Sequence, residues 1–398
     1  MDITELQTRL GRKFRGASLD DMQGITNYSV YKEAASNLLS KIDPYETVRH
    51  TRFSVFQDIL DYAAPDDLKG KKIIDLRPQD NRAGEDYYQT FTKEFDRDRE
   101  IYKTSVEYID GNKVIRLKAP GKGSTRVDQT ESTTEWTLDG VASGITVDKV
   151  IRLDNSDSFR FDAASGTTYI EAGVAAAMTQ LDLSAHEDIS SFFRKVYIPS
   201  GASTITSLTL RIGSASGAYW EITGEIQFGS WKNGVNIVRF DWEDATETGT
   251  PDSENIDYER LTFVTTAAIA DVRVGPLYSK LAHPYEIPYY SSYLFTDSTG
   301  ATWKEAPTAV EDLVVLEKEA ENIFFYECCV IVAEDLSMDE DAVKFRKKLG
   351  IDEMGDMTGG GLYGDYKGDK PGEALRPQNR YMTFRRSGRS GHRIKYRE

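Results

Sequence analysis

The sequence predicts an α+β multidomain protein: a small domain of strands and a helical hairpin, interrupted by an antiparallel β-sandwich of jelly-roll type, with extended arms at both ends. Three observations predict it. Residues 308–350 place apolar side chains at helical spacing, and residues 131–280 carry short alternating runs separated by turn residues. The segments flanking those runs are each too small to bury their own apolar faces.

The helical signal is the strongest. Thr308-Ala309-Val310-Glu311 reads as a capping box, in which the hydroxyl accepts from a backbone amide while the glutamate reaches back. Leu313, Leu316, Ala320, Ile323, Phe324, Cys328 and Ile331 then recur at three- and four-residue spacing. Ser337-Met338-Asp339-Glu340 reads as a second capping box, followed by an apolar stripe of Met338, Ala342, Phe345 and Leu349. Gly350 stands where a left-handed C-cap is wanted. From Ile323 to Ala333 the first helix is apolar almost all round, so it is expected to be buried on most sides.

The 398 residues allow two or three domains, and the net charge of −16 opposes general affinity for nucleic acid. The two cysteines, Cys328 and Cys329, are neighbours on a helix and poorly placed to bond to each other, which predicts inert packing thiols. The opening Met1-Asp2-Ile3-Thr4-Glu5 lacks the apolar core of a signal peptide, and no apolar run is long enough to span a membrane. A reducing cytoplasm is the expected place of folding. His50, His186, His283 and His392 are scattered, with no metal-ligand spacing. Gly121-Lys122-Gly123-Ser124-Thr125 lacks the upstream glycine of a phosphate loop, so no catalytic residue and no cofactor is expected.

Residues 1–46 form a helical arm: Ile3, Leu6 and Leu10 make a short amphipathic turn before the basic Arg12, Lys13 and Arg15. A second helix, capped by Ser18 or Asp20, runs to about Lys41 with Tyr31, Ala34, Leu38 and Leu39 on one side. The first part of the small domain, 47–125, has strands at 48–55 and 72–76, a turn at Ala64-Pro65-Asp66-Asp67-Leu68 followed by a helix-like start, and a hairpin turning at Asp110-Gly111. Strand candidates in the inserted sandwich, 126–280, are 149–153, 158–161, 193–198, 207–212, 219–222, 236–240, 260–264 and 270–274. The second part of the small domain, 281–352, opens with an aromatic strand at 286–295 and ends in the helical hairpin. Residues 353–398 are a basic tail in which Tyr381, Met382 and Phe384 lie among arginines, a composition that orders against a partner rather than alone.

In the sandwich, Tyr219, Trp220, Trp231 and Trp242 with Tyr258 read in two ways: rings that stack on a sugar, or rings that fill the core. Asp154, Asp157 and Asp162, or Asp241, Glu243 and Asp244, are either a calcium set or solvated loop carboxylates.

Tyr62-Ala63-Ala64-Pro65-Asp66-Asp67-Leu68 leading into Ile73-Ile74-Asp75-Leu76, the hairpin ending in Ile115-Arg116-Leu117, and Tyr289-Tyr290-Ser291-Ser292-Tyr293-Leu294 before the helix resemble the order of elements in tailed-phage head-to-tail connector (adaptor) proteins. The resemblance spans two separate pieces of the chain, and the large β insertion departs from compact members of that family. It implies a structural, non-enzymatic virion protein assembled in the host cytoplasm, a ring of identical subunits (typically twelve) beneath the portal protein, and a tail or neck protein below it. It also implies a C-terminal tail reaching the portal through Arg376, Arg380, Tyr381, Phe384, Arg385, Arg386, Arg389 and Arg393. An acidic lumen would let DNA slide through. The stretch 231–242 also resembles segments of jelly-roll carbohydrate-binding modules and of phage virion domains, and the first of these implies a glycan as an alternative partner of the sandwich.

Overall fold

A computed structural model describes residues 1–14, 25, 28–80, 87–88, 104–109, 111–117, 123–128, 130–139, 144–174, 178–227, 229–352 and 355–366. The early strands are β1 (Val48–Val55), β2 (Asp61–Ala63), β3 (Leu68–Ile73), β4 (Arg77–Asp80), β5 (Tyr87–Tyr88), β6 (Thr104–Ile109), β7 (Asn112–Leu117) and β8 (Ser124–Arg126). They are followed by β9 (Trp136–Asp139), β10 (Thr146–Leu153), β11 (Ser156–Ala163), β12 (Gly166–Ala172), β13 (Ser190–Ile198), β14 (Ile205–Ala215), β15 (Ala218–Thr223) and β16 (Glu225–Ile226). The last are β17 (Gly234–Asp241), β18 (Thr246–Thr248), β19 (Tyr258–Thr265), β20 (Ile269–Leu281), β21 (His283–Ser291), β22 (Phe295–Thr296), β23 (Trp303–Lys304) and β24 (Leu313–Val314). Helices α1 (Ile3–Lys13) and α2 (Ser29–Lys41) precede the strands; α3 (Lys318–Asp335), α4 (Asp339–Leu349) and the short α5 (Gly361–Asp365) follow them.

The chain groups into two compact units, one of residues Met1–Arg52, Pro65–Phe95 and Glu286–Glu398, the other of Phe53–Ala64 and Asp96–Tyr285. The division cuts through the segment 47–125, so that 53–64 and 96–125 belong with the strand-rich middle.

That second unit is a β-sandwich. One sheet has the order β10-β11-β20-β13-β17-β16 with β8 added on β20, and the other has the order β18-β15-β14-β19-β12-β9. Side-chain alternation builds it. In β14, Leu208, Leu210 and Ile212 are fully buried while Ser207, Thr209 and Arg211 between them are half-exposed. Phe159, Phe192, Phe240, Leu261 and Phe263 join them in one core. Strand β13 is different, because Phe192 enters that core while Phe193, pointing the opposite way, is buried too. Phe193 meets the ring of Phe56 at 4.8 Å, the Lys280 ammonium donates to the Gln57 carbonyl at 2.8 Å, and Arg239 lies 5.0 Å over Phe56. The segment 53–64 therefore covers part of the outer face of the larger sheet.

Inside the sandwich lies a charged triad. Arg194 on β13 donates from Nη1 to Glu259 Oε1 on β19 at 2.5 Å and from Nη2 to Asp128 Oδ2, and all three side chains are fully buried. Asp128 Oδ1 also accepts the Leu277 amide at 2.5 Å. Burial pushes the Glu259 carboxyl up to about 8, with Arg194 opposing and Asp128 reinforcing the rise, and burial raises Asp128 as well.

The first unit holds a sheet of order β1-β21-β4-β5 with β3 on β21, so segments early and late in the chain are hydrogen-bonded to each other. Asp67, at the mouth of β3, fixes that junction by accepting from Tyr289 (2.8 Å), Ser291 (2.6 Å) and Arg49 (2.6 Å). The helices share one core: Ile3, Leu6 and Leu10 of α1, Tyr31, Ala34 and Leu38 of α2, and Phe324, Cys328, Ala342, Phe345 and Leu349 of α3 and α4. Both cysteines are free and buried, and burial pushes the Cys329 thiol up to about 12. Gly350 is the left-handed C-cap of α4, with φ 83°.

Several expectations are corrected here. Helix α3 starts at Lys318, not near Thr308, because Leu313–Val314 pairs as a strand with Phe295–Thr296. The amides of Thr308 and Ala309 go to the carboxylate of Asp312, at 2.7 and 3.0 Å, so the expected capping box does not form. Ser337 sits at φ 56° and caps nothing; Met338 is the N-cap residue of α4, without a side-chain bond, and is 38% exposed rather than part of the apolar stripe. Strand β3 lies at 68–73, earlier than the expected 72–76, and takes the place of the helix-like start after the turn at Asp66-Asp67. Asp110 of the hairpin turn, Arg15, Ser18, Asp20 and the whole basic tail from Arg376 lie outside the described residues.

The triad generates the first prediction. Arg194→Met leaves two buried carboxylates without their cation and is expected to lower unfolding free energy by roughly 3–5 kcal/mol in urea titrations. A carboxyl raised in the folded state favours folding below its unfolded pKa and loses that contribution as pH climbs through the folded value. Stability is therefore expected to fall between the ordinary glutamate range and pH 8, and Glu259→Gln is expected to flatten that slope.

Candidate functional site

The larger sheet has its outer face partly covered by 53–64, so attention falls on the outer face of the smaller one. Its inward side chains, Trp136, Ile170, Leu210, Trp220, Ile222, Leu261 and Phe263, are all core. Period-2 alternation then forces their neighbours outward. Register aligns these neighbours in rows across the strands. One row reads Thr246, Glu221, Arg211, Arg260, Glu171 and Thr137; the next reads Thr223, Thr209, Thr262 and Tyr169. A third places Gly213 between Tyr219 and Tyr258.

These side chains are held by one another. Arg211 is paired with Glu221 and lies 4.6 Å over the Tyr219 ring. Burial disfavours the Arg211 charge, but the hydrogen bond and charge of Glu221 outweigh it and hold the guanidinium above its usual pKa. Arg260 lies 3.5 Å over the Tyr169 ring, and its Nε donates to Thr262 Oγ1 at 3.3 Å. The Tyr258 hydroxyl donates to Glu171 Oε1 at 2.6 Å; burial first, then the Glu171 carboxylate, pushes this phenol far above its ordinary range. Tyr219 and Tyr258 have ring centroids 6.1 Å apart. Gly213 is required between them, since a Cβ there would meet the Ala218 carbonyl oxygen at 2.2 Å and Tyr219 Cα at 2.6 Å.

The arrangement offers guanidinium donors, carboxylate acceptors, threonine hydroxyls and tyrosine rings on a rigid sheet surface. Such a surface suits a ligand rich in hydroxyl groups, because paired donors and acceptors in fixed positions lose little freedom on binding.

The residues singled out from sequence divide. Trp242 is 1% exposed and Trp220 7%; they pack edge to face at 5.2 Å, and Trp242 also meets Phe192 at 4.8 Å. Both belong to the core, and neither presents a face to solvent. Trp231 is half-buried against the same core, in the loop after β16. Tyr219 alone of the four lies on the outer face. Tyr169, Arg211, Glu221, Arg260 and Glu171 went unread in the sequence, although the alternation within 219–222 and 260–264 already placed several of them opposite the core residues.

The acidic candidates have other roles. Asp154 pairs with Lys195 (2.5 Å), Asp157 with Arg152 (3.2 Å) and Asp241 with Arg239 (2.6 Å), while Asp162 accepts the Asp271 amide at 2.8 Å. Among the described residues, no three His, Cys, Asp or Glu side chains gather as metal ligands.

No protein-family model matches the chain, and no curated protein matches it. Among solved structures, it is similar to the family 30 carbohydrate-binding module of a cellulosomal cellulase of Clostridium thermocellum, with TM-score 0.30 and 10% identity over 39% of this chain and 96% of that one. The family 11 carbohydrate-binding module of Clostridium thermocellum, in complex with a β-1,3-1,4-mixed-linked tetrasaccharide, gives TM-score 0.29 and 11% identity over 40% and 96%. The xylan-binding domain of family 22 gives TM-score 0.22 and 13% identity over 41% and 97%. The similar structures are thus carbohydrate-binding β-sandwich modules, and at these scores the likeness carries no argument about what this chain binds.

The core placement of Trp242 is testable. Trp242→Ala is expected to cost about 3–5 kcal/mol of stability, read by denaturant unfolding of the full chain. A loss under about 1 kcal/mol would mean the ring is not a core ring.

Proposed function

We propose that this chain is a non-catalytic binding protein whose sandwich takes a carbohydrate on the outer face of its six-stranded sheet. The observation that carries the reading is the continuous row Glu221, Arg211, Arg260 and Glu171, flanked by the half-buried Tyr169 and Tyr219, with the fully buried Tyr258 beneath it. Adjacent sugar hydroxyls donate to one carboxylate and accept from one guanidinium, and tyrosine supplies an apolar body with a polar tip at low ordering cost. The pairs that hold these groups before any ligand arrives keep them in position. Binding of the full chain to a glycan array, with Tyr219→Ala and Arg211→Ala weakening the strongest signals about tenfold, is the expected result. Trp242→Phe is expected to retain them. An array without signal, or one on which both outer-face variants bind normally, overturns the reading.

A second reading concerns the other unit. Strands β1 and β3 share a sheet with β21, and α1 and α2 share a core with the α3–α4 hairpin, so 65–76 and 289–294 of the segments that resemble phage connector proteins lie in one unit, while 62–64 and 115–117 group with the sandwich. On this reading the unit assembles into a structural virion ring at the portal. Native mass spectrometry is expected to show a closed multiple of the 44.8 kDa chain. A monomer at every concentration tested rejects it.

A further inference from the structure

We infer that the outer-face site takes a carboxylate-bearing glycan, its acid group held by the guanidinium of Arg260; this rests on the glycan reading of that face. Arg260 and Arg211 are direct cross-strand partners on adjacent strands. Like charges placed opposite each other in a sheet oppose its pairing unless something negative lies near both. Arg211 has its own counter-charge in Glu221. Arg260 has none within ion-pair distance among the described residues: it has Thr262 Oγ1 for its Nε and the Tyr169 ring beneath its plane.

Glu171 is the cross-strand partner of Arg260 on its other side, yet its Oε1 accepts the Tyr258 hydroxyl instead. Among the described residues, Arg211 is paired with Glu221, Glu171 accepts from Tyr258 and stays a charged neighbour of Arg260 outside ion-pair distance, and Thr262 holds the Nε edge. Stacking on Tyr169 fixes the plane of the guanidinium, and neither terminal nitrogen has a partner among the described residues. A planar fork fixed in this way fits the two oxygens of a carboxylate. A neutral hydroxyl offers that fork only one oxygen and no charge. The protein as a whole carries a net charge of −16, so an anion is drawn here by local geometry and not by the overall field.

The test is an array of uronic- and sialic-acid oligosaccharides printed beside their carboxyl-reduced counterparts, probed with the full chain. The expected result is binding to acidic members, about 10- to 100-fold weaker for the reduced forms, with that preference abolished in Arg260→Gln and partly retained in Arg260→Lys. Thermal unfolding of both variants near the parent midpoint shows that the half-exposed position is not needed for folding. Equal binding of acidic and reduced forms overturns the inference while leaving the glycan reading intact. A poly-glutamate peptide that competes as well as the acidic sugar also overturns it, since the site would then be a general acidic-peptide site. Silence on every spot overturns the inference and the glycan reading together.

Discussion

Arg194 enters the interior of the sandwich from one sheet and is met there by Glu259 from the other and Asp128 from the segment leading into the first sandwich strands. Charges with no access to water are tolerated only when each is paired and hydrogen-bonded. Their geometry therefore fixes how β13 and β19 face each other. Once those two strands are aligned, antiparallel register carries the alignment outward through both sheets. It also decides which residues of β19 point away from the core, and Arg260, next to Glu259 in sequence, is among them.

The two sheets then have different fates. The larger is buried on its inner face and covered on part of its outer face, which explains why β13 is apolar in both phases at Phe192 and Phe193. The outer face of the smaller sheet keeps its charged and aromatic residues, and they are organised into pairs rather than scattered. Each pair taken alone would be an ordinary feature of a solvated sheet, worth about 1 kcal/mol or less. Their alignment in adjacent rows gives the face donors, acceptors and rings at fixed spacing.

In the other unit, the same kind of constraint works through distance along the chain. Tyr289 and Ser291 reach Asp67 from more than two hundred residues away, and the β21–β3 pairing follows. Among its described residues, this unit supplies helices and a sheet without a gathering of metal-ligating side chains. Its cysteines are buried thiols with raised pKa values, as their place on an apolar helix implies.

The sequence by itself determined the strand-rich middle, the amphipathic α1, the hairpin of α3 and α4 with its Gly350 cap, and the burial of the cysteines. All of these depend on periodicity or a local backbone need, which neighbours in sequence carry. Only tertiary structure decided where α3 begins, because Leu313–Val314 finds a strand partner at Phe295–Thr296 that outcompetes a local helix start. Only tertiary structure sorted the aromatics as well: Trp220 and Trp242 are as conspicuous in sequence as Tyr219, yet alternation sends Trp220 inward and Tyr219 outward. Of the candidate site, Tyr219 and Tyr258 stood out in the sequence, and the charged row and Tyr169 did not. Its row joins β15, β14, β19 and β12, whose order in the sheet is not their order in the chain, and register between distant strands is set by a core that no single segment contains.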